Sequence, residues 1–199
     1  MISYQFDVTC RFANVNDVIY TFDANGNLLS DGTNTYAYDS ANRLVSVTNG
    51  QSSVTSYTYN GLGDRLSQTV DGVTTNYTLD LNAGLTQVLD DGTNAYIYGN
   101  GRIAQSSIVN QQYPSGTMSE ISYFLGDALG SVRQMTDETG TVTLARTYDP
   151  YGNVTSTGGA SSTAYGFTGE TTDTCGLVYL RAQNDKKSFI KNGKVPSIP

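Results

Sequence analysis

Any chemistry performed by this chain would have to come from carboxylates. Of its 199 residues 18 are acidic and fifteen of those are Asp, while there is no His and there are only two Cys. Without His there is no Ser-His-Asp triad, no Cys-His dyad and no His-ligated zinc. Two thiols make neither a four-thiolate metal site nor a disulfide framework, and Cys10 and Cys175, near opposite ends, read as unpaired small residues. What remains is an aspartic dyad, which needs two acids held about 3 Å apart so that they share one proton. The Asp residues are scattered through turn-like sequence, and spacing singles out no pair. No catalytic, cofactor-binding or metal-ligating residue is therefore assigned.

Three short motifs touch on ligand chemistry. Gly99-Asn100-Gly101-Arg102-Ile103-Ala104 fits a loose dinucleotide loop, but such a loop must open a helix, and the following Gln105-Ser106-Ser107-Ile108-Val109 favours strand. Asp23-Ala24-Asn25-Gly26-Asn27 has the start of a calcium loop. Its Gly comes too early, and Asn34 stands where a bidentate Glu is required, so it reads as an Asx-rich turn. Asn76-Tyr77-Thr78 and Asn153-Val154-Thr155 are glycosylation sequons of the kind a Thr-rich chain contains by chance.

The elements that must position these residues are written in a repeat. Tyr recurs in pairs two apart, or as Tyr-x-Phe or Tyr-x-Leu, beginning at Tyr20, Tyr36, Tyr57, Tyr77, Tyr96 and Tyr123, with looser copies at Tyr148 and Tyr165. After each pair comes Asp, Asn or Gly, then a small polar turn, then Arg or Asn with an aliphatic, as in Arg43-Leu44 and Arg65-Leu66. A second turn follows at Asp31-Gly32, Asn49-Gly50, Asp71-Gly72 and Asp91-Gly92. Residues two apart share one face of a strand, so each Tyr pair lies on one side. Tyr, Thr, Val and Ile between turns favour strand, and Asp-Gly or Asn-Gly suits a two-residue type I′ turn. The fold class expected is all-β: stacked antiparallel β-hairpins of about twenty residues, joined edge to edge in one curled sheet. The Tyr ladder reads first as packing on the inner face, and second as a stacking platform for sugars or bases. The Arg after each turn reads as a partner for a nearby Asp.

Charge narrows the partners. The net charge is −7, so there is no basic surplus to release counterions from phosphates, and nucleic acid is not an expected partner. All four Lys (Lys186, Lys187, Lys191 and Lys194) fall in the last fourteen residues, whereas the first 183 residues set seven Arg against seventeen acids. Such a shift marks a boundary. The start, Met1-Ile2-Ser3-Tyr4-Gln5-Phe6-Asp7, lacks a basic region and an apolar run, so no signal peptide is read and the chain expressed alone is expected in the cytoplasm. No stretch approaches the roughly 18 apolar residues of a membrane span, and membrane insertion is not expected.

The aromatic-x-aromatic-Asp repeat resembles the tyrosine-aspartate (YD) repeats of the RHS, or rearrangement hotspot, family. Residues Tyr123, Gly126, Asp127, Leu129, Gly130, Ser131, Val132 and Arg133 resemble its YxxDxLGSVR signature. Tyr148, Asp149, Pro150 and Gly152 resemble its YDPYG step. Phe167, Thr168 and Gly169, followed by Gly176, Leu177, Tyr179 and Arg181, resemble its FTGxxxDxxxGLxYxRAR step. These nineteen positions are structural family residues. The resemblance implies repeats over residues 20–122, preceded by a partial repeat over 1–19, and an RHS-associated core domain over 123–182. It also implies a hollow β-shell whose core domain caps one end, a secreted or cell-surface setting, and a shell that holds a C-terminal toxin.

The family pattern continues with YYDPxxGRFxxxDP, whose aspartates perform autocleavage. Here Arg181-Ala182 is followed instead by Gln183-Asn184-Asp185-Lys186-Lys187. Residues 183–199 are therefore expected to be a divergent, disordered tail, and the chain a remnant lacking cleavage site and toxin. Its expected role is a non-catalytic shell segment whose partners are the rest of the shell or the cargo. Open sheet edges would also let it self-associate. The alternatives are a carbohydrate-binding or adhesion module using the Tyr face, and an aspartic autoprotease.

Overall fold

The computed structural model describes residues 3–7, 11–15, 17–108, 120–181 and 189–191. They form antiparallel strands and one 3₁₀ turn, with no α-helix among the described residues. Two compact units divide the chain, Met1–Thr75 and Asn76–Pro199.

In the first unit, β1 (Tyr4–Phe6), β2 (Phe12–Val15) and β3 (Val18–Ile19) make a three-stranded sheet. A seven-stranded meander follows: β4 (Thr21–Phe22), β5 (Leu28–Ser30), β6 (Thr35–Tyr38), β7 (Leu44–Thr48), β8 (Val54–Tyr59), β9 (Arg65–Val70) and β10 (Val73–Asn76), each beside its sequence neighbour. The second unit carries an eight-stranded meander: β11 (Thr78–Asp80), β12 (Gln87–Asp90), β13 (Asn94–Tyr98), β14 (Arg102–Ser107), β15 (Ile121–Gly126), β16 (Val132–Thr136), β17 (Val142–Tyr148) and β18 (Val154–Gly159). The 3₁₀ turn Phe167–Gly169 leads to a small sheet of β19 (Thr171–Thr172), β20 (Leu177–Tyr179) and β21 (Phe189–Lys191).

The hairpins are those the repeat predicts, but the described strands form four sheets rather than one. The boundary drawn at residue 123 falls inside β15, so the repeats and the core steps share one sheet. The tail expected to be disordered contributes β21, with Tyr179 opposite Phe189 and Leu177 opposite Lys191. The other tail residues lie outside the described ones, as does Cys10.

One local device makes the first turn of several repeats. Asp39 Oδ1 accepts the backbone N–H of Ala41 and of Arg43, both at 2.9 Å, while Oδ2 accepts Arg43 Nε at 2.6 Å. The acid thus satisfies the turn's orphan donors and holds the side chain that leaves the turn. Asp23 holds Asn27 in the same way, and Asp149 holds Asn153. This fulfils the Asx-turn reading of residues 23–27. The residue before the exit has positive φ, as at Gly26, Asn42, Gly130 and Gly152. The register then slips by one, between Ala37 and Tyr38 or Thr147 and Tyr148, as a β-bulge.

The second turns differ from expectation. Type I′ needs two residues of positive φ, and only Asp71 (48°) with Gly72 (86°) supplies both. At Asp31-Gly32 the carboxylate replaces that geometry: Asp31 Oδ1 accepts the N–H of Thr33 and of Asn34, and Oδ2 accepts the Tyr36 hydroxyl at 2.7 Å. Asp91 repeats this with Thr93, Asn94 and the Tyr96 hydroxyl.

The aromatic pairs pack, as the first reading of the ladder has it. Tyr36, Tyr57 and Tyr96 are buried. Tyr59, Tyr98 and Tyr148, each second of its pair or alone, donate to the backbone carbonyls of Leu44, Val88 and Val132. The pair read at Tyr123 and Leu125 is an exception. Both side chains are exposed, and Phe124 joins the core instead, opposite the buried Met135. Strand alternation permits one face only, and the pairing of β15 with β16 selects Phe124.

Candidate functional site

The three core-motif steps, scattered over about sixty residues of sequence, meet beside the eight-stranded sheet. The 3₁₀ turn is wedged between two hairpin turns. Ser131 is fully buried, and its Oγ accepts the Thr168 N–H at 3.1 Å; the Val132 N–H donates to Gly166 O at 3.0 Å. A Cβ on Gly169 would lie 2.9 Å from Gly130 O, and one on Gly152 would lie 2.6 Å from the Phe167 ring. These glycines are there because backbone and ring need the space. The Phe167 ring in turn sits 5.8 Å from that of Tyr148.

Three arginines hold the segment that carries this turn. Arg102 on β14 stacks over Tyr165, 3.0 Å from the ring centroid, and donates Nη2 to Gly169 O at 3.1 Å. Arg146 on β17 donates Nη1 to Tyr165 O at 3.1 Å. Arg181 grips Glu170 with two bonds of 2.9 and 2.7 Å and reaches Thr86 O at 3.0 Å. Tyr165 also meets Tyr96 edge-on at 4.9 Å, completing a core with Val132, Met135 and Leu144. Burial, opposed in part by Arg102, pushes the Tyr165 hydroxyl well above its usual range.

The acids of the site serve the turns. The Asn153 side-chain amide, helped by backbone N–H groups, holds the Asp149 carboxyl below its usual range. At Asp127 burial acts upward, but the Ser131 backbone and side chain and the Leu129 N–H outweigh it and lower the pKa. Among the described residues no group of three or more His, Cys, Asp or Glu is placed to hold a metal ion.

One family model, Teneurin YD-shell, matches residues 1–187. The chain belongs to that family. This YD-shell chain is 31% identical over 193 residues to the tRNA nuclease WapA of Bacillus subtilis strain 168, covering 92% of this chain and 8% of that protein. It is 32% identical, with the same coverage, to the tRNA(Glu)-specific nuclease WapA of Bacillus subtilis subsp. natto. Among solved structures, a Photorhabdus luminescens Tc holotoxin pore aligns with TM-score 0.60 at 15% identity, over 89% of this chain and 11% of that one. The crystal structure of TcdB2-TccC3 aligns with TM-score 0.58 at 16% identity, over 79% of this chain and 9% of that one. The YD-shell chain is an RHS/YD-repeat protein with the all-β fold of RHS shells, and it spans under an eighth of the length of each of these relatives.

Of the nineteen motif residues, the YD-shell fold gathers Gly130, Ser131, Val132, Tyr148, Gly152, Phe167, Thr168 and Gly169 around the 3₁₀ turn. Arg181 joins them through Glu170. Leu129 and Pro150 are exposed turn positions, and Tyr123 faces outward. Gly176 closes the turn from Asp173 into β20, where Leu177 is buried. The residues that sequence reasoning missed are Arg102, Arg146, Tyr165 and Glu170. The repeat marked Arg102 as an Arg after a turn and Tyr165 as a loose copy, and Glu170 follows the Phe167-Thr168-Gly169 step, but nothing local signalled that Arg102 reaches Gly169 O, 67 residues away.

Proposed function

We propose that this chain is a non-catalytic wall segment of an RHS-type toxin shell, a shell of the kind that encloses a polypeptide cargo. The carrying observation is that the side chains best suited to chemistry are engaged within the wall. The hydroxyls of Tyr36, Tyr59, Tyr96, Tyr98 and Tyr148 bond to backbone carbonyls or turn acids, and the carboxylates of Asp23, Asp31, Asp39, Asp91, Asp127, Asp137 and Asp149 bond to their own turns. This supports packing over a sugar-stacking platform, and turn formation over an aspartic dyad. On this reading the nuclease activity named for the WapA relatives belongs to parts of those proteins outside the matched segment. We further read the departure after Ala182 as replacement of the family ending, which the DNA following that codon tests. A second reading frame there encoding Tyr-Tyr-Asp-Pro is the expected result.

Enclosure is tested by chimera. Replacing the matched stretch of Bacillus subtilis WapA with this chain should leave its C-terminal part protected in limited proteolysis. Digestion as rapid as in a deletion of that stretch overturns the reading. Incubated alone, the chain should stay one band on a gel. A discrete product that vanishes in Asp149→Asn would establish the autoprotease instead.

A further inference from the structure

Beside the 3₁₀ turn lies a cavity of about 280 Å³, lined among others by Arg146, Tyr148, Val154, Thr157, Thr163 and Phe167. Arg146 is two residues from the buried Leu144 on β17, so it shares the core-facing side of that strand. Its Nη1 and Nη2 reach the carbonyls of Tyr165 and Thr163 at 3.1 and 3.5 Å. A guanidinium has five N–H donors, and these two contacts leave others for the cavity. Arg43 and Arg181 pair with acids at 2.6 and 2.7 Å. Arg146 has no such partner among the described residues, and no other charged side chain lines the cavity. The Thr157 and Thr172 hydroxyls, also in the lining, hold no hydrogen bond among the described residues.

We propose, resting on the shell reading above, that this cavity is a carboxylate-binding site that takes an Asp or Glu side chain of the enclosed polypeptide. One guanidinium matches the single charge of a carboxylate and presents the fork that binds it bidentately. A phosphate dianion would lack a second cation. The threonine hydroxyls can serve the remaining lone pairs, and the Tyr148 and Phe167 rings with Val154 give the aliphatic stem an apolar wall. The volume suits one side chain rather than a folded element.

The probe is the capped peptide acetyl-Gly-Glu-Gly-amide, observed by saturation-transfer NMR with the full 199-residue chain. The expected result is saturable transfer to the Glu methylenes at millimolar concentration, about tenfold weaker for the Gln peptide. Glutarate, standing for a free dicarboxylic acid, should bind more weakly than the peptide. Equal signals from the Glu and Gln peptides overturn the proposal, and glutarate binding at least as tightly as the peptide reassigns the site to free acids. Val154→Glu, at a half-exposed position of the lining, sets a like charge at the cavity and should lose the peptide signal while keeping the wild-type circular dichroism. An unchanged signal in that folded variant also overturns it. Peptide binding without protection in the WapA chimera sinks the shell reading and the enclosed source. Protection without peptide binding sinks the site alone.

Discussion

Glycine positions show most directly what single residues do here. Gly159 has φ of 98°, and a Cβ there would stand 2.1 Å from Thr143 O. Backbone strain and overlap with the paired strand act together, so Gly159→Ala should cost more than about 2 kcal/mol. Gly84→Ala, with nothing within 4 Å of the added carbon, should stay within about 0.5 kcal/mol of wild type. Urea denaturation of the two variants checks the contrast, and similar midpoints would contradict the placement of β18. The Glu170–Arg181 pair, with side chains 15% and 23% exposed, is the second residue-scale test. Glu170→Gln should cost about 1–3 kcal/mol, because a bidentate, partly buried guanidinium loses its counter-charge. The costs at Gly159 and Glu170 could not be read from composition, because each depends on an atom of Thr143 or Arg181 that strand pairing brings beside it.

The hairpin was legible as an element before its chemistry was. The Tyr pairs and polar turns give strand, turn, strand, and the Asx turns at Asp23 and Asp39 follow from residue type. Type I′ geometry did not follow, because the Asp31 and Asp91 side chains bond the turn's N–H groups and remove the need for a second positive φ. Packing also sets the titration of the elements. Burial, with the negative charge of Asp23, pushes the Tyr38 hydroxyl up to about 12 from 10.0. A raised pKa contributes stability in full below the unfolded value and loses it as pH climbs through the folded one. Stability should therefore fall between about pH 10 and 12, and urea midpoints across that range should show it; the fall should be smaller in Tyr38→Phe. The turn acids act at the other end. Asp39 has its carboxyl lowered against a burial effect, chiefly by the Arg43 N–H and side chain. Its contribution is present above its usual pKa and is lost as pH drops through the lowered one.

At the scale of the whole molecule, the unpaired edges matter most. β18 is exposed along its length and pairs only with β17 among the described strands. Its sequence, Val154-Thr155-Ser156-Thr157-Gly158-Gly159, holds no charge and no Pro, two of the devices that blunt an edge. The isolated chain should self-associate in light scattering, and Ser156→Lys should reduce the association. A monodisperse wild-type monomer would refute this. In a protein many times longer, as the relatives are, the same edges are where further repeats would pair.

By itself the sequence determined the all-β class, the hairpin period, the Asx turns and the family. All of these rest on interactions within a few residues, or on motifs intact in the chain. Tertiary structure alone decided that Phe124 rather than Tyr123 faces the core, because a strand's inward side is chosen by its partner. It alone brought Gly130, Gly152 and Phe167 together, set Arg102 on Tyr165, and left Arg146 beside an open cavity. Those outcomes depend on which strands lie side by side, and local residue preferences carry no record of that.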